Sequence, residues 1–244
     1  DPHLYKASEG DVRKLAEAQL ILYNGLLLEG KMGDILEKMA RDRTVVGVAE
    51  VLDPNDLMQP EAYEGQYDPH VWFDASLWRV TTGAIADELI AFLPDHADTI
   101  RAAADAYIAE LQELDDWAFE QIATVPEERR VLITAHDAFG YFGRRYDVQV
   151  VGLQGLSTAT EAGLQDVDGL ADMIVSRGVP AIFVESSVPR RAIEAVQAAV
   201  RAQDAEVTIG GELFSDALGP ADSGADTYVG MFRHNIETIV GALQ

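Results

Sequence analysis

The sequence predicts an α/β fold of two lobes, each with a parallel sheet flanked by helices, joined by one long rigid helix. Short β-rich runs alternate with longer helical runs, which is typical of parallel sheets covered by helices on both faces. One helical pattern, residues 95–124, separates the two alternating regions. A chain of 244 residues that is 48% hydrophobic has enough apolar sequence for two small domains or one large one.

The first lobe is predicted to span residues 1–94, with two strands. In order, the patterns predict a helix over 11–18, a strand over 20–23, a helix over 28–41, a strand over 44–48 and a helix over 75–93. Residues 51–69 have three prolines, several acids and no clear period, so we expect a surface loop. A sheet of two strands is marginal. We therefore expect that an N-terminal strand–helix unit is missing from this chain.

Residues 95–124 are predicted to form the linking helix. Apolar residues recur at helical spacing along the whole stretch, and Pro126 follows it. At about 1.5 Å per residue the helix would be roughly 45 Å long. A continuous helix has no soft dihedrals that could absorb a wide hinge rotation, so we expect it to act as a rigid spacer.

The second lobe is predicted to span residues 125–244 and to repeat the strand–helix alternation. The predicted strands are 131–135, 148–153, 181–185 and 207–210, and the predicted helices are 139–146, 161–177, 190–203 and 227–243. Four strands in this order predict a parallel sheet.

Charge and composition exclude several function classes. The chain has 42 Asp and Glu against 18 Lys and Arg, a formal net charge of -24, which disfavours binding to nucleic acid or to an anionic membrane surface. It has no cysteine, so disulfides, thiolate metal sites and cysteine nucleophiles are all excluded. A metal bound by this chain must be held by nitrogen and oxygen.

The tripeptide Asp-Pro-His occurs twice in the first half, ending at His3 and at His70, and an aromatic residue follows two positions later in each case. The proline fixes its own φ and restricts the preceding aspartate, which defines a stiff turn. The repeat indicates two matched histidine turns. In each, the aromatic residue could form one wall of a site.

Three further candidates lie at strand ends in the second lobe: His136, Glu185 and Asp216. Open α/β sheets bind their ligands at the carboxyl ends of strands. The plainer interpretation is a hydrogen-bonded turn histidine and two helix caps. We likewise expect no metal-binding role for the other two histidines: His96 is expected to be a surface residue and His234 a structural one.

The candidates His3, His70, His136 and Asp216 are far apart in the sequence, two in each lobe. Structural zinc modules and helix-borne hydrolase motifs instead space ligands a few residues apart. The spacing therefore predicts a metal site in the cleft between lobes, which suits capture and release better than chemistry.

These residues resemble the zinc/manganese solute-binding proteins of bacterial ABC importers, over the whole chain. The motifs that carry the resemblance are the two Asp-Pro-His turns and the stretches 22–25, 28–29, 71–74, 134–142, 182–187 and 210–217.

The resemblance implies four metal ligands, at His3, His70, His136 and Asp216. From its place at a neighbouring strand end, Glu185 is the candidate for orienting a ligating imidazole. It also implies one Zn²⁺ or Mn²⁺ ion as cargo, a transmembrane permease as partner, a monomeric chain and a periplasmic or extracellular, lipid-anchored location. In the manganese branch the third ligand is typically glutamate, where this chain has His136. The zinc branch often has a histidine-rich loop, whereas residues 51–69 contain no histidine.

Two other functions stay open from the residues. A zinc-dependent hydrolase would need an open coordination position and a carboxylate near the bound water, which Glu185 could supply. A surface adhesin with a structural metal is the second alternative.

Overall fold

The computed structural model describes residues 1–60 and 65–244. It divides into two compact units, residues 2–113 and residue 1 with residues 114–244. The described part of each unit contains parallel strand pairs and flanking helices, which confirms the predicted fold class. No helix in the described ranges has the length and apolarity needed to cross a bilayer.

The first unit, residues 2–113, contains one parallel strand pair among its described residues. Its elements are α1 (Glu9–Glu17), β1 (Leu20–Tyr23), α2 (Gly33–Met39), β2 (Thr44–Gly47), α3 (Ala75–Phe92) and the first part of α4 (Ala97–Ile122). In the strand pair, Leu20 lies opposite Thr44 and Tyr23 lies opposite Gly47. Both strands therefore end at the same edge of the sheet.

The predicted helix over 28–41 is wrong in its first part, because α2 begins only at Gly33. Three consecutive residues before it, Gly25, Leu26 and Leu27, have left-handed φ values of 87°, 53° and 68°. These residues precede residue 28, and residues 28–32 that follow them form turns before α2 begins. Leu28 and Met32 have the spacing of a helical face, but the backbone forms no helix there.

The helix predicted after residue 74 is confirmed as α3, and Asp74 is its N-cap. The Asp74 carboxylate accepts hydrogen bonds from the backbone N–H groups of Ser76 and Leu77, which would otherwise have no partner in the first turn. The segment between β2 and α3 begins with a short 3₁₀ turn, Val48–Val51. Part of the predicted 51–69 loop, residues 61–64, lies outside the described residues.

The long helix is confirmed as α4, which has 26 residues and directly follows a 3₁₀ turn at Pro94–His96. The boundary between the compact units falls inside it, between Glu113 and Leu114. The separate linking segment 95–124 and the lobe limits 1–94 and 125–244 stay predictions.

The last turns of α4 belong to the second unit through specific contacts. The buried Asp115 carboxylate pairs with Arg145 Nη2 at 2.5 Å and accepts a hydrogen bond from the Tyr146 hydroxyl at 2.9 Å. Further along the helix, the Arg233 guanidinium lies 4.4 Å from the ring centroid of Trp117. These contacts tie α4 to two other helices of the unit.

The second unit contains two parallel strand pairs. Its remaining elements are β3 (Val131–His136), α5 (Gly140–Tyr146), β4 (Gln149–Gln154), α6 (Leu164–Arg177), β5 (Ala181–Glu185), α7 (Arg191–Arg201), β6 (Thr208–Leu213) and α8 (Tyr228–Leu243). Strand β3 pairs with β4, β5 pairs with β6, and β3 lies alongside β5. All four predicted strands and four predicted helices are confirmed within a few residues.

The central strands of this unit are buried on both faces. Every residue of β3 and of β5 is buried, as expected for parallel strands covered by helices. Apolar side chains of α6 and α7 complete the core on one side, with Ile174, Ile193 and Val196 almost fully buried. This packing fixes the carboxyl ends of β3 and β5, where candidate site residues lie.

Candidate metal centre

The first unit brings its two predicted histidines together. His3 and His70 are both buried, and their Nε2 atoms are 3.3 Å apart. His70 directly precedes a short 3₁₀ turn, Val71–Phe73. Two imidazole nitrogens that face each other at this distance form a ready pair of metal donors.

Asp68 holds the His70 ring in place. Its Oδ1 atom accepts from the His70 backbone N–H at 2.9 Å and lies 2.8 Å from His70 Nδ1. An ionised carboxylate only accepts hydrogen bonds, so the ring proton lies on Nδ1 and Nε2 keeps its lone pair for a metal. Sequence reasoning missed this role, although Asp68 belongs to the Asp-Pro-His turn that pointed to His70.

The two aromatic residues that follow the histidine turns behave differently. Trp72 is buried and meets the His70 ring edge-on, with ring centroids 5.2 Å apart. Tyr5 is 47% exposed, and its hydroxyl donates to Asp11 Oδ2 at 2.7 Å. Trp72 therefore can form one wall of the site, as predicted, whereas Tyr5 cannot. Tyr5 instead contacts the first turn of α1 through Asp11.

The second unit brings together His136, Asp216 and Glu185. His136 ends β3, Glu185 ends β5, and Asp216 lies in the segment after β6. His136 Nε2 lies 3.3 Å from Asp216 Oδ2, and its Nδ1 lies 2.6 Å from Glu185 Oε2. The backbone N–H of His136 donates to Glu185 Oε1 at 2.8 Å. The carboxylate of Glu185 thus contacts both the ring and the main chain of His136.

The two carboxylates change the proton affinity of His136. Burial by itself lowers the pKa of His136, but the charges and hydrogen bonds of Glu185 and Asp216 raise it well above its ordinary value. Without a metal, the two carboxylates therefore favour the protonated imidazole. A metal that binds Nε2 has to displace a proton.

The segment that carries Asp216 is fixed from two sides. The Asn235 side chain on α8 accepts from Phe214 N at 2.9 Å and donates to Phe214 O at 2.8 Å. On the other side, Ser215 Oγ and Ser187 Oγ are 2.7 Å apart. Nothing in the sequence distinguishes Asn235 from any other polar residue of an amphipathic helix, so this role was missed.

The two remaining histidines lie where the sequence placed them. His96 is exposed in the 3₁₀ turn before α4. His234 Nε2 lies 3.0 Å from the Glu212 carbonyl oxygen, which joins α8 to β6. Both therefore have surface or structural positions.

Each unit presents two donor atoms at the same separation, 3.3 Å. Zinc–nitrogen bonds of about 2.0–2.1 Å with tetrahedral angles place neighbouring ligand atoms roughly 3.3–3.4 Å apart. Each donor pair therefore has the separation of one edge of a tetrahedral zinc site. The donors are nitrogen and oxygen, as a chain without cysteine requires.

The sequence matches the family model described as "ZnuA: Zinc-uptake complex component A periplasmic" over residues 1–242. The chain belongs to this family. A ZnuA-family chain is the substrate-binding component of a metal-uptake system, and this one carries the family's sequence along nearly its whole length.

Individual relatives agree with the family assignment. Over its full length the chain is 48% identical to the manganese-binding lipoprotein MntA of Bacillus subtilis and 49% identical to the zinc-binding protein TroA of Treponema pallidum, covering 79% and 78% of those proteins. The solved structure of periplasmic TroA matches all of this chain with a TM-score of 0.97 and is itself covered to 87%. The Fe(III)-bound YtgA structure from Chlamydia trachomatis, 29% identical, matches all of this chain with a TM-score of 0.89 and is covered to 86%.

Proposed function

We propose that His3, His70, His136 and Asp216 together bind one divalent transition-metal ion, zinc or manganese, which the chain captures and delivers to the permease of an ABC importer. The observation that carries the proposal is the pair of donor edges, one in each unit, with matching 3.3 Å separations. Either pair alone supplies two ligands, whereas a zinc site in a protein is almost always four-coordinate. One ion that takes both pairs completes its coordination.

The ligand set favours zinc and also admits manganese. Three imidazoles and one carboxylate suit the borderline softness of zinc. Manganese prefers more oxygen and a higher coordination number, which Asp216 would supply by binding through both carboxylate oxygens. One of the two relatives at nearly half identity is described as manganese-binding and the other as zinc-binding, so both ions belong in the test.

Capture fits the site better than catalysis. A hydrolytic zinc keeps one coordination position for water and needs a nearby base. Four protein ligands leave no such position for a tetrahedral ion. Glu185, the candidate base, has both carboxylate oxygens against His136. Its role in the proposal is to orient this ligand.

Delivery defines the partner and the location. We infer that the chain acts as a monomer at the periplasmic or extracellular face of the membrane, held by a lipid anchor, and hands its ion to the permease. The related MntA of Bacillus subtilis is described as a lipoprotein, and SsaB of Streptococcus sanguinis as a metal ABC transporter substrate-binding lipoprotein.

The test is metal stoichiometry combined with single substitutions. We expect one ion per metal-stripped chain for zinc and for manganese, and alanine at each proposed ligand should weaken zinc binding by at least about tenfold, or 1.4 kcal/mol. His96→Ala, at an exposed histidine, is the matched control that should bind like the parent. Two ions per chain, or ligand variants that bind like the control, would show that the four residues do not form one site.

A further inference from the structure

A strained turn lies between β1 and α2, at residues 24–30, and we call it the bracing loop. Gly25, Leu26 and Leu27 follow one another with left-handed φ values, and the Leu27 side chain is 66% exposed. Non-glycine residues in this conformation store conformational energy and persist only where the surroundings impose it. Two consecutive leucines in this region need a specific cause.

The Glu29 carboxylate imposes the conformation. Its Oε1 accepts from the Asn24 backbone N–H at 2.7 Å, and its Oε2 accepts from the Gly25 backbone N–H at 3.1 Å. The Glu50 side chain fills the space beside the turn, where a Cβ on Gly25 would lie 2.8 Å from Glu50 Oε1. The Asn24 carbonyl also accepts from Ala49 N at 2.9 Å. The bracing loop is therefore fixed to itself and to the 3₁₀ turn Val48–Val51 that follows β2.

The loop also contacts the backbone of the turn that ends at His70 and lies near the backbone of His3. Asn24 Nδ2 donates to the Pro69 carbonyl at 3.1 Å, directly before His70, and to the Gly25 carbonyl at 3.0 Å. A Cβ on Gly30 would lie 3.6 Å from the His3 carbonyl oxygen. An ordinary strand-to-helix turn has no need of these contacts. They connect Glu29 through Asn24 to the turn that ends at His70.

We propose that Asn24 and Glu29 are positioning residues for metal binding by His70. Glu29 fixes the left-handed turn, and the Asn24 amide, held by that turn, sets the Pro69 carbonyl and thereby the main chain from which the His70 ring projects. Asp68 then orients the ring itself. The inference rests on the proposed function, because it takes His70 to be a ligand.

A double-mutant cycle separates positioning from general folding support. In the otherwise unchanged chain, Asn24→Ala should weaken zinc binding by about tenfold, within the range for loss of an outer contact to a metal ligand. In a His70→Ala background the same change should alter zinc affinity by less than about twofold, because the residue it acts through is gone. Zinc affinity is measured by competition with a chelator, and unfolding curves of all four proteins report folding.

A second variant tests the other end of the contact chain. Glu29→Gln keeps the shape but sets an amide N–H₂ against one of the two backbone donors, so it should reproduce the Asn24→Ala loss and likewise show no added effect with His70→Ala. Asn55→Ala and Glu37→Gln, both at exposed positions of the same unit, are the matched controls.

Cobalt spectra of the substituted proteins supply a readout that folding support alone would not change. A shifted visible band in Asn24→Ala at saturating Co²⁺ supports the proposal, since it reports altered ligand geometry. Affinity equal to the controls in both variants would overturn it, as would an equal loss in the His70→Ala background. If His70→Ala itself binds zinc like the parent, the ligand assignment fails instead, and the two failures are thereby distinguished.

Discussion

Replacing Glu185 by glutamine tests how strongly one buried carboxylate controls the metal site. Glu185 Oε1 accepts from His136 N, and Oε2 lies 2.6 Å from His136 Nδ1. Glutamine has one acceptor oxygen and one N–H₂ group, so it can satisfy the backbone donor or the ring donor, but not both. If it serves the backbone, the amide N–H faces Nδ1 and drives the ring proton to Nε2, the nitrogen that should bind the metal.

The magnitude follows from the lost contact. A hydrogen bond to a charged group contributes about 1.5–3 kcal/mol, which corresponds to a loss in affinity of roughly 10–100-fold. Outer partners of ligating histidines fall in the same range. We therefore expect Glu185→Gln to weaken zinc binding by at least about tenfold near neutral pH.

The assay is chelator competition with metal-stripped protein, at several pH values. Glu194→Gln is the matched control, because Glu194 is exposed and forms only an exposed ion pair with Arg190, four residues earlier on the same surface. A loss of less than about twofold for Glu185→Gln, with a normal unfolding curve, would refute the argument that this carboxylate sets the state of His136.

Four further outcomes follow from the same structure. Because the pKa of His136 is raised above its ordinary value, zinc affinity measured against pH should begin to fall above about pH 6.5 as the solution is acidified, and a profile flat down to that pH would contradict this. The same raised pKa should stabilise the metal-free chain below about pH 6.5, and this stabilisation should be lost as the pH rises through the raised pKa. Thermal unfolding of metal-stripped protein at several pH values measures it. Asn235→Ala leaves both backbone groups of Phe214 without their side-chain partner and should cost about 1–3 kcal/mol in urea unfolding, together with weaker zinc binding. Asp115→Asn should cost about 1–3 kcal/mol, allowing for the partial exposure of Arg145, and should leave zinc affinity unchanged; a parallel loss of affinity would be the contrary result.

Periodicity predicted the strands and most helices because both are set by local apolar spacing. Strands β3 and β5 are continuous apolar runs, and α3 has an aspartate cap that is readable from the sequence. The failure at residues 28–32 has a physical reason. Leu28 and Met32 have helical spacing, but the stretch directly follows three left-handed residues. The Glu29 carboxylate in it is bonded back to the backbone of Asn24 and Gly25.

The candidate ligands were predictable for a different reason. His136 ends a buried strand, and His70 repeats a turn already present at His3, so chain position singled out both as candidates. The ligand set itself came from the family resemblance. Asp68, Asn24 and Asn235 act through contacts to other residues, and two of them reach across the fold to the backbone of another element. Spacing in one sequence has no signal for such contacts.

The contacts of α4 also decide where the chain can be cut. Asp115 binds Arg145 and Tyr146, and Trp117 stacks on Arg233. A fragment that starts at residue 125 would therefore lose an ion pair, a buried phenol contact and part of its apolar interior, although the residues after 125 look like a complete strand–helix array. Dissection for separate expression should start the C-terminal piece before Leu114, within the middle of a helix that sequence patterns treat as a spacer.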